Sequence, residues 1–286
     1  MKIAVVLDSG SGYYNQNLKM EGLYAVPLQI IVEDEGFRES VEISEDQVNS
    51  LMQREKPLRT SLPLLGDIED LFAQIKADGY DTIFAVAITE GISGTLNAMR
   101  LAADASDLNF IPYDCYTTMY IELDCAIAAR TLFDKGATVE LVKERLDEAV
   151  NHSSTFIVPN NLNHLAKGGR LSPLAAKLGG LLRIKPILFL GPSTKGVIDP
   201  FDKVRTMSKA LSTVIEAMKD KGIDETYTIA VVDVNAPDDL DHTVNLIKET
   251  FPTTALRVSQ LISTVSVHVG LGTIAFQYMK NVNTEI

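Results

Sequence analysis

The stretch from Thr82 to Ala103 constrains the fold of this chain more than any other. Residues 82–89 are apolar or β-branched and carry no charge, which predicts a parallel strand that is covered on both faces. Gly91 and Gly94 predict a turn, because glycine permits positive φ and a close approach of the backbone. From Thr95 onwards, apolar residues recur at the spacing of a helix with one buried face. The stretch therefore predicts a strand, a turn and a helix, in that order.

Ser93 lies in this turn, immediately before the predicted helix. A hydroxyl, backbone N–H groups and the positive end of a helix dipole converge at such a position, which is the chemistry that binds a phosphate or a carboxylate. The alternative interpretation is a Ser-Gly turn that caps the helix and binds no ligand. The sequence of the turn alone leaves both interpretations open.

The rest of the chain predicts an α/β protein with two domains. Up to residue 152, strand-like runs alternate with amphipathic helices, which favours a mostly parallel sheet with flanking helices. From residue 153, hairpin-like strands and helix-connected strands are interspersed, which favours a mixed sheet. We therefore expect domains at residues 1–152 and 153–286, with a ligand between them, because 286 residues suffice for two ordinary domains.

Three local patterns give further predictions. Ala25–Val32 is expected to form one strand, either at a sheet edge or bent at its proline, and residues 33–39 are expected to form a charged turn. The Ala- and Gly-rich run at residues 172–182 predicts an apolar helix that requires close neighbours. These assignments determine how many strands lie near the predicted ligand.

Two polar groups are expected to cap local structure. Asp8 ends the first predicted strand, and we interpret it as a turn or helix-capping carboxylate. An aspartyl phosphatase would need a second carboxylate at the position of Gly10. Ser44 and Gln47 have the spacing of a capping box, in which each side chain bonds the backbone of the other.

The composition argues against several classes of function. The formal net charge of −12 opposes non-specific binding to nucleic acid or to an anionic membrane, because no basic field attracts them. No run of 18 apolar residues indicates a membrane span. The two cysteines lack a metal-ligand spacing and fit a reducing compartment. We expect a cytoplasmic protein with no metal, no cofactor, no nucleic-acid partner and no integral membrane association.

The polar candidates for a site lie at turns or at the ends of predicted elements, where binding groups concentrate. They are Thr60, Ser61, Ser93, Gly94, Thr95, Arg170, Arg205 and His268. No P-loop, HExxH motif or complete nucleophile elbow is present, and no base stands beside Ser93 in the sequence. The two arginines and the histidine are equally compatible with ion-pairing or structural roles. These residues support an anion-headed ligand between two α/β domains rather than a self-sufficient catalyst.

Taken in order, seven motifs make the chain similar to the DegV family of bacterial fatty-acid-binding proteins. They are MKIAVVLDSG at 1–10, RTSLP at 59–63, EGISGTLNA at 90–98, NNLNHLAKGGRLS at 160–172, KPIL at 185–188, KVRT at 203–206 and HVGLG at 268–272. The resemblance spans essentially the full length. It implies two α/β domains that hold a long-chain fatty acid in an apolar tunnel, without enzymatic activity. Some members present the acyl carboxylate to a separate fatty acid kinase, which makes acyl phosphate for phospholipid synthesis.

The resemblance also implies roles for the residues of the Ser93 turn. Ser93 would hydrogen-bond the carboxylate, with Thr60 or Ser61 as a second hydroxyl, and Gly94 and Thr95 would shape the turn and offer backbone N–H groups. Burial of about 15 methylenes at about 0.8 kcal/mol each contributes roughly 12 kcal/mol before the costs of association. A buried carboxylate needs hydrogen bonds or an opposite charge, which these groups supply.

The resemblance places Arg170, Arg205 and His268 around the mouth of the tunnel, as positive charge for the head group or for the phosphate of a partner. The chain departs from the usual family pattern at Gly10, at Leu62, in the loop 114–120 and in the motif 268–272. Because these loops differ, the resemblance does not fix the acyl chain length.

Three hypotheses follow for the function. The leading one is a fatty-acid carrier that presents its ligand to a kinase. The second is an enzyme that acts on a small phosphorylated or carboxylated metabolite, with Ser93, Arg170 and His268 as a composite site. The third is a ligand-gated regulator whose interdomain gap closes on a lipid.

Overall fold

The computed structural model describes residues 1–160, 162–177 and 184–286, and these form an α/β fold. The strands are β1 Ile3–Asp8, β2 Leu23–Val26, β3 Gln29–Val32, β4 Glu35–Arg38, β5 Leu58–Ser61, β6 Thr82–Val86, β7 Asn109–Tyr113, β8 Ser153–Val158, β9 Lys185–Leu190, β10 Asp199–Val204, β11 Tyr227–Val234, β12 Ala255–Gln260 and β13 Thr273–Lys280. The helices are α1 Glu45–Gln53, α2 Leu65–Ala77, α3 Thr95–Ala105, α4 Met119–Asp134, α5 Val139–Val150, α6 Asn163–Gly168, α7 Pro173–Ala176, α8 Met207–Asp220, α9 Pro237–Thr250 and α10 Ser263–Val269.

The N-terminal part of the chain builds a parallel sheet with the strand order β2-β1-β6-β7. Every residue of β6 is buried, because α2 and α3 cover one face and α4 and α5 cover the other. This confirms the buried parallel strand predicted for the stretch after Thr82. The carboxyl ends of β1, β6 and β7 meet at one edge of the sheet, where ligands bind in open α/β sheets.

A small antiparallel sheet with the order β4-β3-β5 lies beside this edge. The prediction of one strand over residues 25–32 is wrong, since the chain leaves the first sheet at Pro27 and starts a new sheet at Gln29. Proline has no N–H to continue a ladder, which explains the break. The charged turn predicted for residues 33–39 is wrong in part, because β4 occupies most of it. An edge strand tolerates charge on its solvent side.

The C-terminal part builds a mixed sheet with the order β10-β9-β8-β13-β11-β12, as expected. Only the β11–β12 pair is parallel within this sheet. Along β8, Phe156 and Val158 pack against α8 and α9, and Ile157 faces the opposite side. Ala275 and Phe276 alternate in the same way along β13, since neighbouring side chains of a strand point to opposite faces. The inner face of the sheet is thereby directed toward the N-terminal half.

The two predicted caps are confirmed. The Asp8 carboxylate accepts a hydrogen bond of 2.7 Å from the Gly10 N–H and caps a short 3₁₀ helix. Ser44 and Gln47 form the capping box at the start of α1. The apolar helix predicted for residues 172–182 is present as α7 over its first residues, and residues 178–182 lie outside the described part of the chain.

Candidate functional site

A cavity of about 480 Å³ lies where the loops of the parallel sheet meet the inner face of the mixed sheet. Most of its wall is apolar, and strands of the mixed sheet, loops that follow strands of the parallel sheet, and helix α10 contribute to it. The apolar lining includes Leu28, Ile88, Ile92, Met119, Ile157, Leu165, Leu190, Ile198, Val232, Leu261, Val265, Val269 and Ala275. Aliphatic side chains from the mixed sheet and from the loops and helices around it therefore enclose a space suited to an aliphatic ligand.

Thr60 and His268 form a polar pair in this wall. The Thr60 hydroxyl oxygen lies 2.8 Å from Nε2 of His268. Thr60 lies on β5, and His268 lies in the last turn of α10, so the pair joins the small sheet to the C-terminal half. Gly168 packs beside the other ring nitrogen, and a Cβ there would lie 2.8 Å from Nδ1. Both nitrogens of the imidazole are thus held in defined surroundings.

Burial lowers the pKa of His268 to about 4, and the positive charge of Arg170 acts in the same direction. The imidazole is therefore neutral at pH 7, with one nitrogen as a donor and the other as an acceptor. Arg170 donates from Nη1 to the Gly168 carbonyl oxygen at 2.5 Å. Within the described residues, no carboxylate lies within 4 Å of its guanidinium group. An anionic ligand would meet this uncompensated charge at the cavity.

The Ser93 turn forms a second polar part of the wall. Helix α3 begins at Thr95, after Gly94 as the N-cap residue. The Ser93 hydroxyl lies 2.8 Å from the Thr95 hydroxyl and accepts from the Thr95 N–H at 3.3 Å. The Ser93 side chain is thus bonded within the turn, as the capping interpretation expects. It also lines the cavity, as the ligand-binding interpretation expects.

A close backbone contact fixes the position of the Ser93 turn. A Cβ on Gly91 would collide with the carbonyl group of Gly196 and would lie 2.8 Å from the Lys195 oxygen. Gly196 has a φ of +73° and packs against the Thr89 side chain. These glycines allow the loop after β6 to touch the turn between β9 and β10. The contact joins the two halves next to the cavity.

The structure brings together six of the eight candidates from the sequence. Thr60, Ser61, Ser93, Gly94, Arg170 and His268 all line the cavity. Thr95 is buried and does not line the cavity, and its hydroxyl contacts the hydroxyl of Ser93. Arg205 lies between β10 and α8, exposed to solvent and away from the residues that line the cavity.

A polar cluster that sequence reasoning missed lies in the same wall. Thr117, Thr155 and Gln277 are buried, line the cavity and hydrogen-bond one another. Gln277 interrupts the otherwise apolar run of β13, which is the one signal that the sequence offered. Thr117 belongs to a loop that the sequence marked only as a departure from the family pattern.

Three fully buried carboxyl groups lie at the edge of the parallel sheet. Burial raises the pKa of Asp8 to about 7 and also raises the pKa values of Glu39 and Glu122. Glu122 accepts from the Asp8 N–H at 3.3 Å, and Glu39 accepts from the Ser9 hydroxyl at 2.5 Å. Each carboxyl group therefore bonds a loop that borders the cavity. No pattern in the sequence pointed to Glu39, which lies in a segment predicted as a turn.

Residues 1–160, 162–177 and 184–286 contain no group of three acidic, His or Cys side chains arranged to hold a metal ion. Within the same ranges, no helix is both long and apolar enough to cross a membrane. The cavity is thus the prominent candidate site of the described structure.

The fold and the cavity define a class of protein, namely α/β proteins that enclose an apolar site between a parallel and a mixed sheet. The family model described as "Uncharacterised protein, DegV family" matches residues 2–281, so the chain belongs to the DegV family. A DegV domain-containing protein of Streptococcus pneumoniae is 28% identical over 283 residues, which cover 98% of this chain and 99% of the relative.

Two solved structures of relatives share the whole architecture. A fatty acid binding DegV family protein of Streptococcus agalactiae superposes with a TM-score of 0.86 at 28% identity, covering 98% of this chain and 99% of the other. DegV of Bacillus subtilis, a fatty acid binding protein, superposes with a TM-score of 0.84 at 26% identity, with the same coverage. The α/β fold of this chain is therefore that of fatty-acid-binding members of the family.

Proposed function

We propose that this protein binds a long-chain fatty acid in the cavity between its two large sheets. One observation carries the proposal, namely an apolar cavity of about 480 Å³ whose wall holds the Thr60–His268 pair and the Ser93 turn. Cavities of roughly 300–1,000 Å³ accommodate small ligands, and an aliphatic wall with few polar groups selects an amphipathic one. The fatty-acid-binding relatives at 26–28% identity support the same ligand class.

The carboxylate of the ligand would interact with the hydroxyls of Ser93, Thr60 and Ser61. Gly94 and Thr95 would contribute the start of α3, where the helix dipole favours an anion. A neutral imidazole donates one hydrogen bond without the cost of burying a charge. We infer that this arrangement binds the head group while the acyl chain lies against the aliphatic wall.

Arg170 would supply positive charge at the mouth, beside His268. Arg205 is exposed and does not line the cavity, so its charge would act on a partner. A carboxylate held among hydroxyls and next to one guanidinium group retains its ionised form more readily than one in an aliphatic cavity. The charge of the bound ligand would then be available for chemistry by another protein.

The sequence also suggested an enzyme that uses Ser93 and His268, and the geometry argues against it. A general base works best with a pKa near the working pH, whereas burial lowers the pKa of His268 to about 4. His268 bonds Thr60 rather than Ser93. We therefore propose a binding protein without a catalytic activity of its own.

We further propose that the bound carboxylate is presented to a separate fatty acid kinase. Ser61 and Gly94 are exposed to solvent, so the polar end of the cavity is open to a partner. In the shared reaction, a carboxylate oxygen would attack the γ-phosphorus of ATP, and ADP would leave as acyl phosphate forms. Dependence on ATP implies the cytoplasm.

We also infer two domains, 1–152 and 153–286, since β8 starts the second large sheet at Ser153.

The test is mass spectrometry of the native protein and of its organic extract. A stoichiometric long-chain fatty acid in the extract, with the matching mass difference in the native protein, is the expected result. A protein that carries no fatty acid and takes up none that is added would overturn the proposal.

Mixing the loaded protein with a bacterial fatty acid kinase and ATP tests the presentation of the carboxylate. No acyl phosphate from any loaded sample would refute presentation.

A further inference from the structure

The cavity wall contains a second polar group whose hydrogen bonds are separate from those of the Thr60–His268 pair. The hydroxyl oxygens of Thr117 and Thr155 lie 2.6 Å apart. Gln277 donates from Nε2 to the Thr155 hydroxyl and to the Thr118 carbonyl oxygen, both at 2.9 Å. Its side-chain oxygen accepts from the Tyr120 N–H at 3.1 Å. Polar groups in an otherwise aliphatic wall specify the orientation and identity of a ligand.

One hydrogen of this cluster has no acceptor. The two N–H groups of Gln277 go to Thr118 and Thr155, and one threonine hydroxyl donates to the other. The hydroxyl that accepts in the threonine pair still carries its own hydrogen. Among the described residues, neither hydroxyl donates a hydrogen bond to any other acceptor. A buried donor beside an apolar cavity is costly unless a ligand or a water supplies an oxygen.

Strand register separates this cluster from His268. Thr273, at the start of β13, donates to the carbonyl oxygens of Val269 and Gly270, which directly follow His268. Gln277 lies four residues further along β13, which corresponds to about 13 Å of strand. Thr155 is paired with Gln277 in the neighbouring strand, so it lies in the same row. Between them and α10 lies the aliphatic row that contains Ala275.

We propose that Thr117, Thr155 and Gln277 form a subsite for an oxygen atom carried by the acyl chain. The ligand class is then a long-chain fatty acid with a hydroxyl group near the middle of its chain. An extended chain covers about 13 Å in roughly ten carbon–carbon bonds of about 1.5 Å, each inclined to the chain axis. This inference rests on the proposed function, because it deepens the specificity of the same cavity.

The energetic reason is the cost of burying a hydroxyl. In a wholly aliphatic cavity, a mid-chain hydroxyl loses its hydrogen bonds to water and the hydroxylated acid binds more weakly than the plain one. Beside the cluster, the unpaired threonine hydrogen donates to the ligand oxygen, and the threonine oxygens accept in return. One contact then provides an acceptor for the threonine hydrogen and hydrogen-bond partners for the ligand hydroxyl.

The test compares octadecanoic acid with 10-hydroxyoctadecanoic acid on the full-length protein, by titration calorimetry after removal of lipid. We expect the hydroxylated acid to bind about fivefold more tightly, the effect of one net hydrogen bond. Plain acid binding as tightly as or more tightly than the hydroxylated acid would overturn the subsite while leaving the proposed function intact. No binding of either acid would overturn both the subsite and the proposed function.

Two double variants test the residues. Thr117→Val/Thr155→Val removes both hydroxyls with little change in shape, and we expect the ratio of the affinities for the hydroxylated and the plain acid to fall to one or below. Thr117→Ser/Thr155→Ser keeps both hydroxyls, serves as the matched control and is expected to keep the preference. An unchanged preference in the valine variant would overturn the assignment. If the valine variant does not fold, the ligand comparison on the wild-type protein still decides the proposal.

Discussion

The hydroxyl oxygen of Thr60 lies 2.8 Å from Nε2 of His268, and 208 residues of chain separate the two. The hydrogen bond links β5, which belongs to the small sheet, to the last turn of α10. Neither element belongs to the two large sheets, yet both contribute to the wall between them. The Thr60–His268 part of the cavity wall is therefore assembled by elements that lie outside the two large sheets.

The first prediction concerns His268. His268→Ala removes the partner of Thr60 and one donor for the head group, so we expect fatty-acid affinity to fall about tenfold or more, as for a hydrogen bond to a charged group. Displacement of a fluorescent fatty acid measures the change. His242→Ala is the matched control, because His242 is exposed on α9 and outside the cavity. Equal affinities of the two variants would contradict the prediction.

The second prediction concerns Ser93. Ser93→Ala removes a hydroxyl from the cavity wall and leaves the backbone turn, so we expect fatty-acid affinity to fall about fivefold with the fold retained. Ser106→Ala, at the other end of α3, removes a hydroxyl that bonds only the Ala102 carbonyl oxygen and should leave affinity unchanged. Calorimetric titration and circular dichroism give the two readouts. A folded Ser93→Ala protein with wild-type affinity would refute the role of this hydroxyl.

The third prediction concerns the buried carboxyl groups and pH. Burial raises the pKa of Asp8 from 3.8 to about 7 and raises that of Glu122. The unfolded chain releases these protons at lower pH than the folded protein does. The stabilisation is complete below about pH 4 and is lost as pH rises through about 7, so the free energy of unfolding falls over that window. Urea unfolding of the wild-type protein from pH 4 to 7.5 measures the fall.

Glu122→Gln supplies the comparison for this prediction. Glutamine keeps an oxygen for the Asp8 N–H but does not titrate, so the variant loses the contribution of the Glu122 carboxyl group, whose pKa is raised by burial and by the charge of Asp8. We expect the decline of unfolding free energy with pH to become shallower in the variant. Parallel pH profiles of the variant and the wild-type protein would show that Glu122 does not contribute to the decline.

The fourth prediction concerns His268 at acidic pH and has the opposite sign. Burial lowers the pKa of His268 from 6.5 to about 4, so the unfolded chain binds a proton in a range where the folded protein binds none. This contribution is present above about pH 6.5 and is lost as pH falls toward 4. His268→Gln should remove the contribution, and urea unfolding at pH 4.5 and 6.5 measures it. A wild-type slope retained in the variant would contradict the assignment.

The sequence was most informative where a residue's environment follows from its neighbours in the chain. The uncharged run after Thr82, the helix from Thr95 and the capping box at Ser44 are local patterns, and the structure confirms them. The break at Pro27 was visible, but the sequence does not tell whether the chain bends within one sheet or begins another. That choice depends on pairing with β5, which lies far along the chain.

The residues of the site that the sequence did not reveal also depend on partners that lie far away in the chain. The polar side chain of Gln277 can be buried because it hydrogen-bonds Thr117 and Thr155, which both lie far away in the sequence. Glu122 bonds the backbone of Asp8, which is 114 residues away. Periodicity records which face of an element is buried, whereas a satisfied buried polar group depends on partners from other elements. Motif order located the turn of Ser93 but carried no information about these partners.

The fifth prediction concerns the contact between the two halves at Gly91. A Cβ there would collide with the carbonyl group of Gly196, and backbone on both sides leaves no flexible group to yield. We expect Gly91→Ala to lower the free energy of unfolding by about 1–3 kcal/mol, the usual cost of overpacking, and to weaken fatty-acid binding by displacing the Ser93 turn. Gly66→Ala is the control, since no atom lies within 4 Å of its Cβ position. Thermal unfolding and ligand titration of both variants measure these effects, and a Gly91→Ala protein as stable as the control would show that this contact does not constrain the site.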